Sequence, residues 1–184
     1  MKLTNGERLI TLMLCELYDK LDVVGEVDPD FLRTAIYTEN EWSLAWKYPG
    51  IPFESGEEPP ELREVLDILE MWSFIEASYT ELSEEDKSSL LAETQPFTAA
   101  PRFPGFDGNN EAEYISISSI LIDQLDRFQD FSGRDLNAHM PTLDMYRRML
   151  AKFREAREGN WDPLGVDELE SILAERVHPE NRAD

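Results

Sequence analysis

Side chains that act as nucleophiles, general bases or soft metal ligands are scarce in this sequence. Its 184 residues include one cysteine, Cys15, and two histidines, His139 and His178. Neither histidine has a second histidine one helical turn away or a cysteine nearby, as a zinc site would require. Cys15 stands among leucines that we expect to face the core, which favours an unreactive buried thiol over a catalytic pair with His139. We therefore predict no catalytic residue, no metal site and no cofactor.

The segment Asp107-Gly108-Asn109-Asn110-Glu111 superficially resembles the start of a calcium-binding loop. An EF-hand loop that began at Asp107 would need glycine at its sixth position and glutamate at its twelfth, but the sequence has Ala112 and Ser118 there. The segment instead predicts a turn in which an asparagine caps the next helix. The sequence also lacks a Gly-x-Ser-x-Gly nucleophile elbow and a glycine-rich phosphate loop.

The charge balance disfavours direct binding to nucleic acid. The chain carries 39 acidic and 17 basic residues, a formal net charge of −22, so its surface repels a phosphate backbone. Segment 127–157 departs from this balance, with seven bases and four acids. Because acids are in excess elsewhere, we expect these bases to pair with acidic segments of the same fold or of another subunit. A site for an anionic ligand is the alternative.

Apolar residues spaced three and four apart predict a series of helices. The first begins with a capping box formed by Thr4 and Glu7, and Asp28-Pro29 begins a second, short helix. A further short turn is expected over 40–46. The apolar positions that define the first helix are Leu9, Ile10, Met13, Leu14, Leu17 and Leu21.

The longest predicted helix, 61–82, carries two apolar stripes, which is typical of a helix buried between others. Shorter helices are predicted over 84–93, 142–157 and 166–177. Segment 111–131 is ambiguous, because Tyr114 to Ser118 alternates as a strand does, but its length and later spacing favour a single helix. We therefore predict an all-α fold, a multi-helix bundle.

We expect residues 1–177 to form one compact helical unit and residues 178–184 a flexible tail. Subdomains 1–94 and 105–177, joined by the proline- and glycine-rich loop 95–110, are the alternative arrangement. No run of about 18 apolar residues is present, so we expect no membrane-spanning helix and no membrane partner. No signal peptide is recognisable, and together with the single cysteine this predicts a cytoplasmic protein.

Six groups of residues occur in an order that resembles the bacterial YfbU family. The resemblance covers about residues 1–174 and implies a helical hairpin with a second helical subdomain. The family is uncharacterised, so the resemblance implies no activity and no catalytic residues. The groups are Thr4-Asn5 with Arg8-Leu9-Ile10, Asp67-Ile68-Leu69-Glu70-Met71-Trp72, Gly105-Phe106-Asp107, Glu111-Ala112-Glu113-Tyr114, Asn137-Ala138 with Pro141, and Tyr146-Arg147-Arg148-Met149-Leu150.

Several polar or loop positions within these groups are the ones that packing explains least, and conspicuous loop positions are often functional. The turn chemistry of Asp107 and Asn137 favours loop-fixing roles for both over ligand binding. One functional hypothesis is nevertheless a small-molecule or anion-binding site, or an enzymatic site, formed by the 95–110 and 132–147 regions. Its candidate binding residues are Phe106, Asp107, Asn137, His139, Arg147 and Arg148.

The leading hypothesis is a non-enzymatic cytoplasmic interaction or regulatory protein that forms a homo-oligomer. It rests on the absence of catalytic motifs and on four Trp, six Tyr, nine Phe and six Met, residue types that are mostly enriched at interfaces. A different protein partner fits the same observations. A third hypothesis is an acidic mimic of nucleic acid that binds a basic partner.

Overall fold

The structure, a computed structural model, describes residues 2–53, 58–94, 96–159 and 162–181. These ranges contain eight α-helices and no strand, and the one β-type pairing within them is an isolated bridge between Phe106 and Asn137. The predicted all-α fold is confirmed. No described helix is both long and apolar enough to cross a membrane. The helices are α1 (Asn5–Leu21), α2 (Pro29–Tyr37), α3 (Ser43–Lys47), α4 (Pro60–Glu81), α5 (Glu84–Glu93), α6 (Ala112–Ser119), α7 (Leu143–Arg157) and α8 (Val166–Ala174).

The predicted capping box begins α1. The Thr4 hydroxyl accepts a hydrogen bond from the Glu7 N–H at 3.3 Å, and the Glu7 carboxylate accepts one from the Thr4 N–H at 2.8 Å. Two of the amide groups that have no partner within the helix are thereby satisfied. Helix α1 ends at Leu21, and the next residue, Asp22, adopts the left-handed backbone conformation, with φ of 51°.

Helix α1 is apolar on two faces, and this corrects one prediction. Cys15 is 2% exposed, and Leu12 and Tyr18 beside it are half-buried. The leucines that we expected around Cys15 instead lie on the opposite face and are exposed. Burial raises the pKa of the Cys15 thiol, as expected for an unreactive cysteine. Helical spacing identifies a stripe, but it does not say which of two stripes faces the core.

The chain divides into two compact units, of which unit 1 comprises Met1–Arg63 and Ser116–Ser132. Its core forms around Phe31 and Ala35 of α2 and Leu44 of α3. The inner face of α1 is fixed by an ion pair in which Arg8 Nε lies 2.6 Å from Oε1 of the buried Glu41. Within unit 1, α1 is therefore held through the face that carries Arg8 and the buried Cys15.

The predicted single helix over 111–131 is wrong beyond Ser119. Helix α6 ends there, and a π-helical turn, Ile120–Gln124, and a separate 3-10 turn, Gln129–Phe131, follow. Asp126 and Phe128 both have positive φ, which no helix accommodates. The apolar spacing continues across this break because the apolar residues on both sides of it still face the core of unit 1.

Unit 2 comprises Glu64–Ile115 and Gly133–Asp184, and its core is largely aromatic. Trp72 of α4, Phe103, Phe106 and Tyr146 of α7 lie with ring centroids 5.6 to 6.1 Å apart. The prediction that the long helix is buried on more than one face is confirmed, since both stripes of α4 contribute buried residues to this unit. These are Val65, Ile68, Leu69, Met71, Trp72 and Ile75.

The domain boundaries expected from the sequence, 1–177 or 1–94 with 105–177, stay predictions. The two units are interleaved along the chain, because α6 begins in unit 2 and ends in unit 1. In the predicted tail, Pro179–Asn181 form a short 3-10 turn, and residues 182–184 lie outside the described residues. Position 95 of the predicted loop also lies outside them.

Candidate functional site

Two loops of unit 2, residues 104–111 and 134–142, lie against each other, and we call them the paired loops. The Phe106 N–H donates to the Leu136 carbonyl at 2.9 Å, and the Ala138 N–H donates to the Phe106 carbonyl at 2.8 Å. The Asn137 side-chain oxygen accepts from the N–H groups of Gly108 and His139, at 3.1 and 2.9 Å. One asparagine therefore joins both loops.

The close approach of the paired loops depends on Gly105. Its φ is +89°, and a Cβ atom at this position would overlap the Leu136 carbonyl group. The Gly105 carbonyl accepts a 2.5 Å hydrogen bond from the hydroxyl of Tyr146, a buried residue whose pKa is raised by its burial. Only glycine combines this backbone conformation with so close a contact.

Glu111 is the most extensively hydrogen-bonded carboxylate of the paired loops. It is buried, and it accepts hydrogen bonds from the Asp107 N–H, the Leu143 N–H, and both the N–H and the hydroxyl of Thr142, at 2.7 to 2.9 Å. Burial alone would raise the pKa of Glu111, but these donors outweigh it and hold the pKa below its usual value. The carboxylate thus joins the start of α6 to the start of α7.

Asp107 fixes the turn that superficially resembled a calcium loop. Its carboxylate accepts from the Asn110 side-chain amide at 2.5 Å and from the Asn109 N–H at 3.0 Å, and these bonds lower the pKa of Asp107. The predicted turn is present, but the expected asparagine cap is not, because Asn109 and Asn110 are donors to Asp107 and the residue directly before α6 is Glu111. Across the described ranges, no group of three or more His, Cys, Asp or Glu residues is placed to hold a metal ion.

Arg147 and Arg148 point to different partners. Arg147 makes a bidentate ion pair with Glu64 at 2.8 and 3.1 Å, and Glu64 also accepts a 2.5 Å hydrogen bond from the Tyr114 hydroxyl. The Arg147 hydrogen bonds lower the pKa of Glu64. Arg148 donates to the backbone carbonyls of Asp144 and Glu175 at 3.0 and 3.1 Å.

The structure therefore brings together four of the six candidate binding residues. Phe106, Asp107, Asn137 and His139 lie in the paired loops, whereas Arg147 and Arg148 lie on α7 and bond to groups outside those loops. Glu111 is not among the site residues predicted from the sequence, although it follows Asp107 by only four residues. A binding role for the six residues stays a prediction.

The bases of segment 127–157 pair extensively with acids of α4. Arg134 forms two 2.8 Å hydrogen bonds with Glu76, and Arg154 lies 2.7 Å from Asp67, in addition to the Arg147 pair with Glu64. The expected pairing with acidic segments of the same fold is confirmed at these positions.

A second candidate site is the face of α1 turned away from unit 1, which we call the outer face. Six of its apolar side chains are half or more exposed, although burial of such groups is the main driving force of folding. A contiguous exposed apolar surface on a protein marks an interaction site more often than isolated exposed residues do. The exposed fractions are Leu9 60%, Ile10 59%, Met13 56%, Leu14 52%, Leu17 50% and Leu21 70%.

These features define an acidic all-helical protein with hydrogen-bonded paired loops and an exposed apolar helix face. The chain belongs to the YfbU family, since the model of the YfbU domain matches residues 1–174. It is also similar to the UPF0304 protein MJECS11 of Methanocaldococcus jannaschii, with 28% identity over 114 residues. That alignment covers 59% of this chain and 64% of the relative, so the chain spans less than two thirds of the relative's length.

Proposed function

We propose that this protein is a non-enzymatic interaction protein that works in the cytoplasm and self-associates through the outer face of α1. The observation that carries the proposal is the row of six exposed apolar side chains on that face. The aromatic residues support it less, because nine of them, including Trp72 and Phe106, are buried.

The spacing of the outer-face residues suits helix-to-helix packing. Ile10, Leu14, Leu17 and Leu21 follow one another at intervals of four, three and four residues. On an α-helix such residues form one narrow stripe, the pattern by which helices pair side by side. The stripe runs from Ile10 to Leu21 and is therefore about 17 Å long.

The local charge of α1 favours a second copy as the partner. The helix holds two bases and three acids, so 2 − 3 gives −1, in a chain whose charge is −22. Two copies that meet at this helix bring little like charge together. A membrane-surface helix, by contrast, is rich in Lys and Arg on its polar face, and α1 has only Arg8, which is paired with Glu41, and Lys20.

The expected interface is modest in strength. Each outer-face side chain is about half exposed, so its further burial contributes about 1 kcal/mol, or roughly 12 kcal/mol for twelve side chains. Association costs about 4 kcal/mol or more, so the remainder is at most about 8 kcal/mol and corresponds to a Kd of roughly micromolar or weaker. Dilution through that range should therefore dissociate the complex.

Light scattering coupled to size-exclusion chromatography across a dilution series tests the proposal. Leu17→Glu places a charge in the middle of the stripe, and it should convert a concentration-dependent oligomer into a monomer. Ala77→Glu, at an exposed position of α4, is the matched control and should leave the oligomer intact. A wild-type protein that stays monomeric at hundreds of micromolar would refute self-association.

A ligand site in the paired loops has weaker support. The side-chain oxygens of Asn137, Asp107 and Glu111 already accept hydrogen bonds from backbone N–H groups of these loops. A ligand would have to displace those hydrogen bonds. A thermal-shift screen of nucleotides, metals and anions tests this alternative: a hit that disappears in His139→Ala, within the paired loops, would favour it.

A further inference from the structure

We infer that two copies of α1 pair antiparallel, across a two-fold axis that passes between Met13 and Leu14. This inference rests on the proposed function, because it specifies how the outer face meets a second copy of itself. The two-fold axis makes the interface isologous, as in most homodimers. An antiparallel pair related by this axis places residues at the same level when their numbers add to 27.

This register brings the central residues of the outer face against one another. Ile10 of one copy lies level with Leu17 of the other, and Met13 lies level with Leu14. At 100° per residue, the remaining central position at the start of the helix is Gly6, which lies level with Leu21. The seam therefore matches these six positions, and Leu9, which lies level with Tyr18, is outside it.

Gly6 and Leu21 have complementary shapes in this register. A Cβ atom added to Gly6 would meet nothing within 4 Å, so the space beside Gly6 is open. Leu21 is 70% exposed, the largest exposed fraction among the six apolar side chains. Antiparallel pairing places Leu21 in the open space beside Gly6. Parallel pairing would instead set Gly6 against Gly6 and Leu21 against Leu21.

The charges along α1 favour the same orientation. Glu7 lies near the start of the helix and Lys20 near its end, so antiparallel copies carry opposite charges at each end of the pair. In a parallel pair, Glu7, Glu16 and Lys20 would each lie level with the same charge in the other copy. Antiparallel helix dipoles also attract each other, whereas parallel dipoles repel.

Disulfide trapping distinguishes these orientations. Cys15 is the one cysteine of the chain, so Cys15→Ala gives a thiol-free background in which G6C, L21C and the double variant G6C/L21C are compared under mild oxidation. Positions 6 and 21 are about 22 Å apart along one helix, which is too far for a bond within one copy. Circular dichroism melting curves establish that each variant is folded.

The antiparallel register predicts that G6C/L21C forms a covalent dimer on the order of 100-fold faster than either single variant, because only the double variant holds two thiols at a high effective concentration. Rapid dimerisation of L21C alone would overturn the antiparallel register and leave self-association standing. Slow trapping of all three variants, with monomers by light scattering in the Cys15→Ala parent, would overturn both proposals.

Discussion

Glu111 and Thr142 are 31 residues apart in the sequence, yet one carboxylate accepts both the backbone N–H and the hydroxyl of the threonine, at 2.8 and 2.7 Å. This contact joins the segment before α6 to the first turn of α7. The paired loops therefore depend on a buried charge whose hydrogen-bonding capacity is used by protein donors.

Replacement of Glu111 should destabilise unit 2. Glu111→Ala removes the acceptor of four hydrogen bonds and leaves buried donors unpaired, at a cost of about 3 kcal/mol or more in the free energy of unfolding. Glu111→Gln keeps the shape but presents an amide NH₂ to those donors, so it should also destabilise at neutral pH. Urea unfolding followed by circular dichroism measures both changes.

The same residue should give the stability a defined pH dependence. The pKa of Glu111 is lower in the folded protein than its ordinary value of 4.5. Its contribution is therefore complete above that value and is lost as the pH falls through the folded-state pKa. The stability difference between wild type and Glu111→Gln should shrink below about pH 4. A difference that stays constant from neutral pH to about pH 3 would contradict this account.

Gly105→Ala should be among the most damaging single substitutions in the paired loops. The new Cβ atom would overlap the Leu136 carbonyl group at a position where φ is +89°, so the loops must separate, at a cost of about 3 kcal/mol or more. Gly133→Ala is the matched control, because Gly133 also has positive φ but open space around it, and about 1 kcal/mol is expected there. Equal losses in thermal unfolding would argue against steric contact as the cause.

A double-mutant cycle on Glu64 and Arg147 should give a coupling energy of about 1 kcal/mol. The pair is bidentate, but Arg147 is 53% exposed, so solvent screens the interaction. The exposed pair Lys152 and Glu155 on α7 is the comparison and should give about half of that value or less. Denaturant unfolding of the single and double variants measures both energies, and equal coupling would show that the second hydrogen bond adds nothing.

Added salt should strengthen self-association. Each copy carries −22, so two copies repel each other, while the proposed interface is mainly apolar, with Glu7 and Lys20 as the opposite charges at its ends. An increase in ionic strength from about 0.01 M to about 0.1 M shortens the Debye length from about 30 to about 10 Å, and the Kd from sedimentation equilibrium should fall several-fold. A Kd that rises with salt would indicate an interface held by opposite charges instead.

The helices were predictable because their signals are local. Helix α5 has the predicted bounds, and the capping box of α1 was visible in Thr4 and Glu7 alone. The end of α6 was not predictable, because the backbone of Asp126 and Phe128 turns while the apolar pattern continues. Sequence periodicity indicates which side chains are buried. Side chains before and after that turn are both buried, as Leu121 and Phe131 are, so the periodicity does not reveal the turn.

In the candidate site, too, local features were predictable and contacts between distant segments were not. Turn chemistry identified Asp107 and Asn137 as loop-fixing residues, but it could not show that Glu111 would receive donors from a segment 31 residues away.

By itself, the sequence determined the all-helical class, because apolar spacing of three and four residues acts within single helices, and it determined the family through the ordered groups of residues that resemble YfbU. Only the tertiary structure decided which face of α1 packs on unit 1 and which remains exposed. Both faces of that helix are apolar, and the choice between them depends on the shape of the surface that α2 and its neighbours present.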